Sequence, residues 1–154
     1  MAAMTELKGS ELGSTKVRVE SGPVRAFANA VKDASPQYAA DGAIVPPTFP
    51  FSWSYWGTIE GSTRGLPIDK LRGPGRMILH GEQEFVYHRQ PKVGDVLEGT
   101  ARISDVYEKD SSSALMEFYV QETSWKDAAT GEPVCDVKFT LIVRDTAVKK
   151  GSSF

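Results

Sequence analysis

Two histidines, one cysteine and a dense aromatic run are the groups of this chain best suited to chemistry. His80 and His88 lie in a segment, Met77 to Arg89, whose residue types predict a strand. Their even separation places both rings on one strand face, together with Ile78, Glu82, Glu84 and Val86. Met77, Leu79, Gln83, Phe85 and Tyr87 take the other face, and their larger apolar set marks it as the core side. His80 lies near the start of this strand, just after the Gly73–Gly75 loop. An imidazole at a loop end is suited to acting as an acid or base or to holding a water. The plainer reading is that it bonds a neighbouring carbonyl, and both stay open. Cys135, the sole thiol, cannot form an internal disulfide. Free cysteine is among the most buried residue types, so Cys135 reads as structural rather than nucleophilic. With two His and one Cys, no zinc site of the usual spacing is expected, and no cofactor.

Several elements must position these groups. Residues 16–20, Lys-Val-Arg-Val-Glu, alternate as a half-buried strand does. After Gly22-Pro23, the positions Val24, Phe27, Ala28 and Val31 form one face of an amphipathic helix ending near Lys32. Ser35-Pro36 ends it, because a residue before proline avoids helical angles. Residues 47–56 are apolar and aromatic nearly all round, which predicts a buried helix, with Trp53 and Trp56 sharing a face. Gly57 to Gly75 reads as a long loop with one helical turn at Ile68 to Leu71. The C-terminal half predicts four meandering strands: Met77–Arg89, Val96–Val106, Ala114–Trp125 and Val134–Arg144. On the third, Glu117, Tyr119 and Gln121 share one face with Leu115. Ala-Thr-Gly-Glu, within Lys126 to Pro133, supplies hairpin chemistry. The expected class is α+β: an antiparallel sheet of about five strands wrapped around a central apolar helix.

At 154 residues, 40% hydrophobic and 25% charged, the chain is expected to be one globular domain. A formal charge of −2 gives no argument for nucleic acid or a membrane surface as partner. No stretch approaches the ~20 apolar residues of a membrane helix, and no signal peptide is read at the start. A cytoplasmic location fits the single cysteine. Residues 8–145 are the expected domain and 146–154 a polar tail.

The order of elements, with its apolar central helix, resembles the hot-dog fold. His80-Gly81-Glu82-Gln83-Glu84-Phe85-Val86-Tyr87-His88-Arg89-Gln90-Pro91-Lys92-Val93-Gly94-Asp95-Val96-Leu97 resembles the segment found in MaoC-like dehydratase N-terminal domains. Val45-Pro46-Pro47-Thr48-Phe49 is similar to that group's entry to the central helix, and Phe139 to Arg144 also fits. The resemblance implies fatty-acid-type chemistry: a trans-2-enoyl thioester of coenzyme A or acyl carrier protein, reversibly hydrated to an (R)-3-hydroxyacyl thioester. It also implies a second hot-dog subunit, as a homodimer or heterodimer.

Such hydration needs a base to activate water, an acid to protonate carbon, and a donor for the thioester oxygen. Active MaoC-like hydratases carry Asp, then Asn-Pro, then His. The matching stretch here is Asp33-Ala34-Ser35-Pro36-Gln37-Tyr38: Asp33 and Pro36 match, while Ser35 replaces Asn and Tyr38 replaces His. A tyrosine is a poor base at neutral pH, its ordinary pKa being ~10. The resemblance therefore leaves Asp33 and His80 as candidate catalytic groups, and Asp33 also reads as a simple cap of the preceding helix. Tyr38, Pro47, Thr48, Phe49 and Trp53 are the candidate substrate-binding residues. Pro47 has no N–H, so Thr48 or Phe49 would donate to the thioester, unless Thr48 is only a helix N-cap. An aromatic wall at Trp53 and Trp56 favours short acyl groups or flat rings. Arg64, Lys70, Arg72 and Arg76 are either solvated or a contact for coenzyme A phosphates or an acidic carrier protein.

The sequence thus favours a catalytically incomplete hydratase/dehydratase (lyase) subunit that shapes the acyl pocket beside a partner carrying Asp and His. The alternative is a non-enzymatic acyl-thioester-binding or scaffold protein. A hot-dog thioesterase fits less well, because residues 47–56 contain no Asp or Glu.

Overall fold

The computed structural model describes residues 2–150. One antiparallel sheet of six strands dominates it, in the spatial order β2-β1-β4-β5-β6-β3. The strands are β1 (Glu11–Arg18), β2 (Thr58–Gly61), β3 (Arg76–Tyr87), β4 (Val96–Asp110), β5 (Leu115–Asp127) and β6 (Pro133–Asp145). The helices are α1 (Ser21–Ala30), α2 (Trp53–Gly57), α3 (Ile68–Leu71) and α4 (Ala147–Lys150). The polar tail expected from residue 146 is helical as far as Lys150, and residues 151–154 lie outside the described residues. At the other end, Ala3 is buried and Met4 and Leu7 pack beside it, so the packed unit takes in residues ahead of 8.

The α+β hot-dog architecture is present, with two departures from the sequence reading. The first is topological. Only β4, β5 and β6 form a meander; β3 crosses over to lie beside β6, with Leu79 opposite Ile142 and Phe85 opposite Val137. The connection back to β4 is tied down by Arg89, whose guanidinium donates to Asp95 at 2.8 Å and to Asp127 at 3.2 Å. The extra strand, β2, was hidden in the presumed loop and pairs with β1.

The second departure is the central helix. Residues 49–51 form a short 3-10 turn, and α2 is only five residues long. The segment is also two-faced rather than buried all round: Phe49 and Trp53 are buried, while Phe51, Tyr55 and Trp56 are exposed. An apolar composition cannot by itself say how long a helix runs, and here it stops at Gly57, which presses against β1. A Cβ on Gly57 would lie 2.2 Å from the Arg18 carbonyl oxygen. Gly57→Ala should therefore cost about 1–3 kcal/mol, the usual range for overpacking. A urea melt checks this, and an unchanged midpoint would show that α2 shifts freely.

The core divides in two. One cluster joins α1, Tyr38, Phe49 and Trp53 to Trp125, Cys135 and Val137 on the sheet. The other joins Leu66 and Leu71 to Ile103, Tyr119, Leu141 and Val143. The short α2 spans only part of the concave sheet face, so the space between the clusters is left for the site.

Candidate functional site

A cavity of about 420 Å³ opens between these two clusters. Phe51 and Tyr55 form one wall, Trp125, Phe139 and Leu141 the sheet wall, and Leu66 closes the loop side. Trp125 is held from behind by Trp53 in an edge-to-face contact, with centroids 5.1 Å apart. The Trp53 Nε1–H is buried and lacks a partner among the described residues, as does Gln83 Oε1.

His80 sits at the edge of this cavity. Its ring lies 4.4 Å from that of Phe139 and 5.4 Å from that of Phe51, centroid to centroid, and both phenylalanines line the cavity. The His80 side chain makes no hydrogen bond or ion pair among the described residues, so no neighbouring carboxylate orients it. The expectation that His80 and His88 share a face is corrected by a β-bulge between His80 and Glu82. An extra residue inverts the inward–outward alternation beyond it. Arg76, Ile78 and His80 face inward before the bulge, and Gln83, Phe85 and Tyr87 after it. Met77 and Leu79, assigned to the core side, are exposed accordingly. Gly81 fits at the bulge because a Cβ there would lie 2.5 Å from Ile142 Cδ1. His88 binds Asp136 at 2.8 Å in an exposed pair away from the cavity.

Asp33 is held by a local turn. Its Oδ1 accepts the Ser35 N–H at 3.0 Å. Hydrogen bonds from the Ser35 hydroxyl and then its N–H hold the carboxyl below the ordinary carboxylate range, with Tyr38 contributing less. Asp33 is therefore ionised at neutral pH, with no proton to give. Tyr38 is buried in the first core cluster. No hydrogen bond or ion pair links Asp33 or Tyr38 to His80 among the described residues.

Of the candidate oxyanion donors, the Phe49 N–H is already taken by the Pro46 carbonyl at 3.0 Å. The exposed Thr48 has an N–H without an acceptor among the described residues, and its side chain makes no cap hydrogen bond. Pro47 is exposed, and its carbonyl accepts the Tyr87 hydroxyl, so Tyr87 anchors the turn that presents Thr48. The sequence reading placed Tyr87 on the core side of its strand but missed that its hydroxyl anchors this turn. Phe49 and Trp53 are core. None of the five proposed substrate-binding residues lines the cavity, which Phe51, Tyr55 and residues of β5 and β6 line instead.

Among the proposed phosphate contacts, Arg76 is instead buried. It donates to Glu117 Oε1 at 2.8 Å and Oε2 at 2.9 Å, and to Asp145 at 2.6 Å. The Tyr119 hydroxyl adds a 2.6 Å bond to Glu117.

Six antiparallel strands around a short apolar helix define a hot-dog unit. Residues 6–137 match the family described as "FAS1-like, dehydratase domain region", and the chain belongs to that family. A curated relative, a UPF0336 protein of Saccharopolyspora erythraea, is 33% identical over 138 residues, covering 80% of each chain. The C-terminally truncated HadBC (3R-hydroxyacyl-ACP dehydratase) complex of Mycobacterium tuberculosis is similar in structure. Its TM-score is 0.66 at 22% identity, over 88% of this chain and 96% of that one. A MaoC-like dehydratase from Phytophthora capsici also has a TM-score of 0.66, at 18% identity, over 94% of this chain and 50% of that chain. The likeness to the MaoC-like group seen in the sequence is thereby supported. Among the described residues, no helix is long and apolar enough to cross a membrane.

Proposed function

We propose that this chain is the pocket-forming unit of an (R)-specific enoyl-thioester hydratase/3-hydroxyacyl-thioester dehydratase, working beside a hot-dog partner that carries the Asp/His pair. The observation that carries this reading is a cavity with mostly apolar walls at the foreshortened central helix, with no acid–base pair directed into it. Asp33 is spent on a turn, Tyr38 is core, and His80 stands alone at the rim. The free N–H of Thr48 supports a thioester carbonyl bound nearby. The assembly of one structural relative as a complex, and this chain's span of half of another, support a second unit. The edge strand β3 has only β6 beside it, which leaves one side open to a further strand.

The test is hydration of crotonyl-coenzyme A and longer enoyl-coenzyme A esters, followed as loss of enoyl-thioester absorbance. The chain alone is expected to give no turnover, and to restore turnover when mixed with a hot-dog partner. Turnover by the chain alone, abolished in His80→Ala or Asp33→Ala, would sink the incomplete-subunit reading.

A further inference from the structure

The concave sheet face at the cavity is not uniformly apolar. Gln121 and Thr123 occupy two successive inward positions of β5, and both line the cavity. Their cross-strand neighbours are apolar on both sides: Gln121 lies between Ile103 and Phe139, and Thr123 between Ala101 and Val137. Strand β5 is an interior strand of the sheet, and both residues are half-buried on its cavity face. Neither side chain makes a hydrogen bond to any described residue. Packing alone calls for apolar residues here, and an unpaired amide against methylene groups weakens binding. A ligand that fills the cavity must therefore satisfy these two groups or strip them of solvent at a cost.

We infer that Gln121 and Thr123 form a polar subsite that selects acyl groups carrying a carbonyl or hydroxyl oxygen along the chain. This rests on the cavity being the acyl pocket. The amide offers both a donor and an acceptor, and the hydroxyl both as well, so either oxygen function can be satisfied. A site built to hydrogen-bond an oxygen disfavours the analogue lacking it, because its own polar groups are then left dry and unpaired. The same chemistry occurs in the amides of a pantetheine arm. The acyl source is preferred because Thr48, the free donor for the thioester, lies outside the cavity wall, which puts the acyl side within it.

The experiment titrates the full chain with tetradecanoic acid, with a positional series of its mono-oxo and mono-hydroxy derivatives, and with pantetheine. Binding is read by fluorescence, since Trp125 lines the cavity. Gln121→Leu, Gln121→Met and Thr123→Val are compared, each first checked by thermal melt. At least one oxygenated acid is expected to bind about 10-fold tighter than the plain acid, a difference of about 1.4 kcal/mol. In Gln121→Leu and Gln121→Met that advantage collapses while the plain acid binds as well or better. Equal binding of plain and oxygenated acids, or a preference that survives in the Gln121 variants, overturns the subsite but leaves the acyl pocket standing. Gln121-dependent binding of pantetheine without any preference among the acids overturns the acyl assignment. If no acid binds, the pocket reading itself fails and takes the subsite with it.

Discussion

Arg76→Ala is expected to destabilise the chain by about 3–5 kcal/mol, the range for breaking a buried ion pair from one side. The reason is what the substitution leaves behind. Glu117 has 0% side-chain exposure and Asp145 3%, and Arg76 is the cation between them. Removing it leaves two carboxylates out of water with hydrogen bonds from Tyr119 and the Ala147 N–H, but without that charge. At about 2–4 °C per kcal/mol for a chain of this size, a thermal melt should fall by roughly 6–20 °C. Replacing the group together with Met at 76 and Leu at 117 and 145 should recover much of the loss, since well-packed apolar substitutes often match a buried ion pair. The pH dependence gives a second check. Burial, the largest single influence, pushes the Asp145 carboxyl up, but the Arg76 hydrogen bond, the Ala147 N–H and the Arg76 charge together outweigh it and hold it below the ordinary range. A lowered folded pKa contributes stability above the ordinary carboxylate value, about 3.9, and that stability is lost as pH falls through the folded value. In Arg76→Ala the carboxylates gain from protonation instead, so the gap between the two proteins should narrow on acidification. A gap constant from pH 7 to pH 4 would mean the loss is one of packing rather than charge.

Arg76 also marks where sequence reading stops. It follows a Gly- and Pro-bearing stretch and reads as one of four loop cations; its burial depends on Glu117 and Asp145, which are 41 and 69 positions away. Features set by neighbours along the chain were legible. Alternation located β4, β5 and β6 to within a few residues except at the extended C-terminal end of β4, and a helical turn at Ile68–Leu71 coincides with α3. The grouping of Glu117, Tyr119 and Gln121 on one face of β5 was readable from period two, but not that this face turns inward. Features set by a single inserted residue or by distant partners were not. The bulge at Gly81 has no local sequence mark, yet it decides that the inward row passes from His80 to Gln83 rather than to Glu82. The crossing of β3 to β6 is a long-range choice, and the length of α2 depends on its close approach to Arg18. The site suffers most, because cavity walls come from four separated segments.

Trp56→Ala is expected to weaken pairing with the partner unit by about 30-fold or more while leaving the isolated chain's stability within about 0.5 kcal/mol. Trp56 is 67% exposed and Tyr55 74%, on the same short helix that buries Trp53 to 1%. An aromatic patch of this kind on one unit marks an interaction face rather than a folding contribution. It is continuous with the open edge of the sheet: Phe51, in the turn leading into α2, contacts His80 on the edge strand β3. A strand added at β3 would therefore meet both unpaired backbone groups and an aromatic ledge, which together supply direction and apolar area. Tryptophan at the centre of such a face typically accounts for at least about 2 kcal/mol of binding, which sets the 30-fold figure. Sedimentation or titration calorimetry of the mixed chains measures it directly. Turnover of the pair should fall in parallel at low protein concentration and return at high concentration, because the variant alters assembly and leaves the cavity wall in place. If affinity is unchanged, the partner meets another face, and the aromatic ledge must serve the acyl chain that enters past Tyr55.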